Sequence, residues 1–132
     1  MARTLMIVKP DAVKKNVVGD IIRRVEEQGF KVVELRMICQ TTEQAAKFYE
    51  VHKERPFYND LVKFMTSGPC IPMVLEREDA VAKLREVIGA TNPEEAEPGT
   101  IRDTHGSNIQ NNAVHASDSP KNAAIEIAHY FG

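Results

Sequence analysis

The chain has 132 residues, with 17 Lys+Arg against 19 Asp+Glu, a formal net charge of −2 and 42% hydrophobic residues. That length suits one domain, residues 1–132, large enough to bury about two-thirds of its unfolded surface without disulfide or metal staples. No run approaches the roughly 20 apolar residues of a membrane span, and the balanced charge offers no broad cationic field, so neither a membrane nor a nucleic acid is the expected partner.

Thr4–Val8 is a short apolar, partly β-branched run stopped by Lys9-Pro10-Asp11, which reads as a buried strand with Lys9 at its exit. Val18, Ile21, Ile22 and Val25 recur at helical spacing among charged residues, and Gly29 closes the helix. Phe30–Cys39 alternates as Val33, Glu34, Leu35, Arg36, Met37, the pattern of a strand with one wet face. Thr41 and Gln44 offer a capping box before a helix carrying Ala45, Phe48 and Tyr49. A shorter helix is expected around Asn59–Met65, then a strand at Ile71–Leu75. Asp79 is the expected cap of a helix with the stripe Val81, Leu84 and Ile88, closed by Gly89. From Ala90 to about Asn112 no periodicity persists, so a long loop is expected, of the kind that is functional or hides an element. Ala113–Ala116 is a brief strand candidate. Ser119-Pro120 opens a last helix whose core stripe is Ala124, Ile127, Ala128 and Phe131, with Glu126 on the opposite side.

This order predicts an α+β fold, a ferredoxin-like split βαβ sandwich with a four-stranded antiparallel sheet and helices on one face. A flavodoxin-like parallel sheet is the competing topology, disfavoured because parallel strands are apolar on both faces and the second strand is half-wet. Cys39 and Cys70 lie far apart, with no CxxC and no histidine at zinc-ligand spacing. Thr4–Val8 alone separates Arg3 from Lys9, too little for a signal-peptide apolar region. A reduced, cytoplasmic protein is expected.

The seven glycines form neither GxGxxG nor GxxxxGK[ST], so side chains must hold any phosphates this chain binds. Lys9, Arg55, Arg85 and Arg102 are the cations at element ends and in the loop, with Thr91 as a hydroxyl donor. His115 is the candidate nucleophile, because an imidazole is largely neutral near pH 7 and a neutral ring nitrogen can attack phosphorus. Ser117 and Glu126 follow it, and a carboxylate on the far ring N–H fixes the tautomer. Phe57 and Tyr58, after Arg55-Pro56, offer a face on which a base could stack. Taken singly, each position has a plainer reading: surface charge for any one arginine, packing for His115 and Phe57, a solvated carboxylate for Glu126.

Six blocks in order change that balance: Thr4–Val13, Arg55–Tyr58, Ser67–Pro69, Gly89–Pro93, Pro98–Arg102 and Asn112–Ser119. Together they resemble the nucleoside diphosphate kinases from Thr4 to Phe131. The resemblance implies transfer of a terminal phosphate from nucleoside triphosphates to nucleoside diphosphates, broad in base and sugar, by a ping-pong route through phosphohistidine with Mg²⁺ on the nucleotide. It implies that His115 is phosphorylated through Nδ1, that Glu126 orients the ring and Ser117 supports that contact, and that Tyr49 lines the pocket nearby. Lys9 then falls near the γ-phosphate and sugar, Asn112 on the sugar, and Arg85, Thr91 and Arg102 on phosphates. Phe57 stacks on the base, with Leu61 and Ile109 beside it, and Asp118 helps hold the metal through water. Family members assemble from dimers into tetramers or hexamers, so a homo-oligomer is expected.

The chain departs from the family pattern in three places. Ala116 follows the histidine where glycine is usual, so the backbone there should not need a glycine-only conformation. Asp103-Thr104-His105-Gly106-Ser107 replaces the more usual Gly-Asp-Phe, and Phe48 stands where some relatives carry a helper histidine. Two other functions are compatible with the residues. One is a nucleotide-binding module without turnover, against which the joint presence of Lys9, Arg102, His115 and Glu126 speaks; the other is a single-strand nucleic-acid binder, against which the net charge speaks.

Overall fold

The computed structural model describes residues 1–132. Ala2–Val8 forms the strand β1, whose last five residues are all buried. Short helices α1 (Pro10–Lys14) and α2 (Val18–Glu27) follow, then β2 (Lys31–Leu35), α3 (Thr42–Phe48), α4 (Tyr58–Met65), β3 (Ile71–Arg77), α5 (Ala80–Ile88), α6 (Ile101–His105), β4 (Val114–Ala116) and α7 (Pro120–Phe131). The sheet order is β2-β3-β1-β4 with every neighbour antiparallel, the ferredoxin-like α+β arrangement, and the parallel alternative is excluded.

Side chains alternate across β1, and each set meets its own layer of helices. Met6 and Val8 pack with Met73, Leu75, Val114 and Ala116 against Ile21 and Val25 of α2, Leu84 and Ile88 of α5, and Ile101 of α6. Leu5 and Ile7 face the other way, against Ala45 of α3, Tyr49, Val62 and Met65 of α4, and Tyr130 of α7. Helices therefore cover both faces of the sheet, not one as expected. The apolar run Leu5–Val8 carries this information, since a strand buried on both sides has no wet alternation.

The capping box is present: Gln44 N donates to Thr41 Oγ1 and Thr41 N to Gln44 Oε1. Asn122 N donates to Ser119 Oγ at the start of α7, with Pro120 in its first turn. Four expectations need correction. β2 stops at Leu35, and beyond it one hydrogen bond from Arg36 N to the Pro72 carbonyl and an isolated bridge of Ile38 with Cys70 continue the contact. It is an edge strand with Leu35 and, just after it, Met37 both exposed, so it is wetter than an alternating pattern implies. Asp79 does not cap α5 with its side chain; it sits in the left-handed region at φ 53°, and its carbonyl accepts from Lys83 N.

The other two concern the C-terminal third. The stretch 90–112 is not one loop: Pro93–Glu95 makes a 3₁₀ turn and α6 follows, capped by Thr100 Oγ1, which accepts from Asp103 N. Five residues are too few to show a hydrophobic period. The buried residues of α7 are Ala123 and Tyr130, with Ile127 packed partly against the same layer, while Ala124 and Ala128 are exposed. The stripe is rotated by about one residue, and that rotation turns Glu126 inward.

Gly89 ends α5 at φ 87°, and a Cβ there would meet Thr100 Oγ1 at 2.6 Å. Gly89→Ala should lower stability by about 1–3 kcal/mol, combining positive-φ strain with a clash against α6. Gly19 lies within α2 with open space where a methyl would stand, so Gly19→Ala should raise stability by about 0.5–1 kcal/mol. Denaturant midpoints of the two variants should move in opposite directions.

Candidate active site

His115 is the middle residue of β4 and pairs with Ile7, so its ring leaves the sheet on the face covered by α3, α4 and α7. There the rotated α7 presents Glu126. Oε1 of Glu126 stands 2.8 Å from His115 Nε2 and accepts a second hydrogen bond, at 2.7 Å, from Ser117 Oγ. Ser117 is fully buried and lies behind the carboxylate, outside the cleft lining. Because the carboxylate accepts, it selects the tautomer with hydrogen on Nε2 and leaves Nδ1 with its lone pair and no protein partner. Phe48 packs edge-on against the imidazole, ring centroids 5.4 Å apart.

β4 is delivered to this place by a strained residue. Ala113 sits at φ 74°, and its N–H donates to Asp11 Oδ2 at 3.1 Å while its carbonyl accepts from Lys9 N. Ala116 has no positive φ, as expected for a residue replacing glycine.

Three cations converge beside the histidine from separate elements: Lys9 between β1 and α1, Arg85 on α5, and Arg102 on α6. Arg55, the fourth candidate, does not line the cleft. Lys9 Nζ, buried, donates to Asn112 Oδ1 at 2.8 Å, and Asn112 Nδ2 donates to the Thr91 carbonyl at 2.9 Å. Arg102 is equally buried; its Nη1 donates to the Gly89 carbonyl and its Nη2 to the Val114 carbonyl, while its Nε–H has no partner. Burial, reinforced by the Arg102 charge, pulls Lys9 down to about 8. Burial and the Arg85 charge lower Arg102 to about 10. Both remain cationic at neutral pH, in a cluster whose members repel one another.

The Tyr49 hydroxyl is another buried group without a partner, and burial pushes its pKa far above that of an ordinary phenol, so it stays protonated. Asp118 accepts from Asn122 Nδ2 at 2.6 Å, which holds its carboxyl below the usual range and anionic. No group of three His, Cys, Asp or Glu side chains could cage a metal ion.

These groups share one cleft of about 500 Å³. It also has apolar lining: Phe57 and Ile109 stand 48% and 61% exposed, and Leu61 joins them, packed partly against the α3, α4 and α7 layer. The cleft therefore suits a molecule with a flat apolar end and a polyanionic end. Val51, His52, Gln110 and Asn122 also line it, beyond the residues the sequence points to. Asn122 carries a signal, lying one helical turn before Glu126; the other three are found only by shape.

The family description "Nucleoside diphosphate kinase" matches residues 2–132. A nucleoside diphosphate kinase of Nitratiruptor sp. is 60% identical over 131 residues, 99% of this chain and 96% of that protein. One of Persephonella marina is 57% identical over 129 residues, 98% of this chain and 92% of that protein. Among solved structures, the Aquifex aeolicus nucleoside diphosphate kinase superposes with a TM-score of 0.98 at 48% identity, covering 99% of this chain and 95% of that one. The enzyme from Encephalitozoon cuniculi superposes at 0.97 with 36% identity, covering 100% and 90%. Fold and relatives together define a phosphotransferase. The chain belongs to the nucleoside diphosphate kinase family.

The low Lys9 value makes stability depend on pH. An unfolded lysine titrates near 10.5, so between about 8 and 10.5 the unfolded chain binds more protons, and stability rises with pH across that window. Denaturant melts of the wild type and Lys9→Met at pH 7 and pH 10 should show the wild type gaining on the variant by about 1–3 kcal/mol.

Proposed function

We propose that residues 1–132 act as one nucleoside diphosphate kinase domain that moves a terminal phosphate from a nucleoside triphosphate to a nucleoside diphosphate through phosphohistidine at His115. The carrying observation is the hydrogen bond of Glu126 to Nε2, which leaves Nδ1 free beside Lys9, Arg85 and Arg102.

In this reading the base stacks on Phe57, flanked by Leu61 and Ile109, and the sugar meets Lys9 and Asn112. Arg85, Thr91 and Arg102 hold the phosphates. The Nδ1 lone pair attacks the γ-phosphorus in line, an N–P bond forms, and the bond to the bridging oxygen breaks with its electrons leaving on the diphosphate. Positive charge develops on the imidazole, and Glu126, steadied by Ser117, offsets it through the Nε2 hydrogen. A diphosphate oxygen then reverses the step. The unpartnered hydroxyl of Tyr49 and the Nε–H of Arg102 are donors for charge arriving in the cleft. Stacking reads a π-face and not a hydrogen-bonding edge, which supports breadth across bases.

Mg²⁺ bound with the nucleotide supplies charge neutralisation on its phosphates. The donor set fits an ion carried mainly by substrate, since of the two carboxylates lining the cleft Glu126 is engaged by His115 and Ser117, and Asp118, without a cage, would hold it through water. A homo-oligomer built from dimers, tetramer or hexamer, is supported by the exposed Leu35 on the edge strand β2. A reduced, cytoplasmic setting is supported by two free thiols, with Cys39 exposed. No helix is long and apolar enough to cross a membrane.

Incubation with γ-labelled ATP should leave acid-labile, base-stable phosphate on the protein that an added nucleoside diphosphate removes. His115→Ala should abolish labelling; normal labelling in that variant would overturn the mechanism. Glu126→Gln should lower kcat about 100-fold, and Ser117→Ala roughly tenfold, with folding retained in both.

A further inference from the structure

α6 carries Arg102 into the cleft and passes the chain to residues 106–112, which bring Ile109 and Asn112 to the same place. A five-residue helix has too few internal hydrogen bonds to fix its own position, so its outside anchors decide where these groups stand.

α2 grips α6 at both ends. Arg24 Nη1 donates to the Gly99 carbonyl at 3.0 Å, just before the Thr100 cap. At the far end, Nε2 of His105 lies 2.6 Å from Asp20 Oδ2. Asp20 joins the two grips, because Arg24 Nε donates to the same Oδ2 at 2.8 Å and Arg23 Nη2 donates to Oδ1 at 2.6 Å. Lys15 Nζ adds hydrogen bonds to the His105 carbonyl at 2.9 Å and to Ser107 Oγ at 2.8 Å. The His105 side chain is only 12% exposed. The turn after it has no slack, since a Cβ on Gly106 would meet Pro93 Cγ at 2.6 Å and the Arg102 carbonyl at 2.7 Å. His105 lies in the tract where this chain departs from the usual family sequence, and the phosphotransfer step does not use it.

We propose that the Asp20–His105 contact is a clamp that sets the position of α6 and of residues 106–112, making Asp20 and His105 positioning residues for nucleotide binding at Arg102, Ile109 and Asn112. The clamp rests on the phosphotransfer reading above. It acts on the groups that hold the nucleotide and leaves His115 alone, whose partner Glu126, braced by Ser117, stands on another segment. Its signature is a rise in KM with kcat nearly kept.

The test compares wild type, His105→Ala, His105→Gln, Asp20→Ala and the double alanine variant, using ADP and dTDP as acceptors and ATP as donor. Each single alanine variant should raise KM about 5- to 20-fold with kcat within about threefold, and the double should be no worse than the poorer single. His105→Gln keeps an amide donor and should recover most of the loss. Without nucleotide, amide hydrogen exchange at residues 106–112 should quicken in both single variants, with β4 and α7 unchanged. If His105→Ala does not fold, His105→Phe keeps the ring's bulk without the donor and should show the same rise in KM. Unchanged KM and exchange in the folded variants, or effects that multiply in the double, would overturn the clamp while wild-type turnover leaves the phosphotransfer reading standing. A wild type without turnover overturns that reading instead, and the exchange comparison then decides the clamp on its own.

Discussion

Three residue pairs between β1 and β4 hold His115 in place: Met6 with Ala116, Ile7 with His115, and Val8 with Val114. Backbone hydrogen bonds extend the ladder at each end, from Ser117 N to the Leu5 carbonyl and from Lys9 N to the Ala113 carbonyl. Side chains alternate with period two, so a slip by one residue would put His115 among the residues of α2 and α5, away from Glu126. Such a short strand fixes its register through what surrounds it. Val114 and Ala116 are buried in one core layer, and the strained Ala113 is tied to Asp11 from the turn that follows β1. Lys9 leaves β1 at the same place, so one strand exit positions both a buried cation of the cleft and the strand that bears the histidine.

Gathering cations without a glycine-rich loop has an energetic cost. Lys9 and Arg102 are buried, each with its affinity for protons lowered by burial and by a neighbouring arginine, Arg102 for Lys9 and Arg85 for Arg102, and neither has a carboxylate partner in a salt bridge. Neutral acceptors hold them: an amide oxygen for Lys9, two backbone carbonyls for Arg102. Carbonyl oxygens orient a guanidinium without cancelling its charge, so the field remains available to an incoming anion. A carboxylate in the same place would stabilise the apo fold better and would compete with phosphate. Stability is given up at the site where binding needs charge.

Much of the architecture is legible in the sequence, because the long periodic segments and their caps act locally. The helix from Val18, the Thr41–Gln44 box and the Ser119-Pro120 start depend on neighbours within one turn, and all three stand as read. What escapes depends on distant partners. α6 is too short for its own pattern and is stabilised by the Thr100 cap, buried Ile101 and contacts from α2. β2 has the pattern of a strand as far as Cys39, yet its regular pairing stops at Leu35, and beyond it contact thins to one hydrogen bond from Arg36 N to the Pro72 carbonyl and the single bridge of Ile38 with Cys70. The site residues are legible as a set through the family blocks, while their convergence depends on packing that no single segment encodes.

α7 shows why single-segment reading fails at a functional site. Its apolar residues admit two phases: Ala124, Ile127, Ala128 and Phe131, or Ala123, Ile127 and Tyr130. The first looks better because it leaves every charge in solvent, and it turns Glu126 outward. The fold adopts the second, since Glu126 has partners on β4 and just beyond it, and burying a carboxylate with two hydrogen-bond donors costs far less than burying it alone. The pattern holds across the chain. Six polar or charged residues are buried, and four of them, Lys9, Arg102, Asn112 and Ser117, line the cleft or brace Glu126. A helix phase that moves every polar group to solvent is therefore the wrong default near a site. The polar residues that a core retains mark where the structure gives up apolar burial for chemistry.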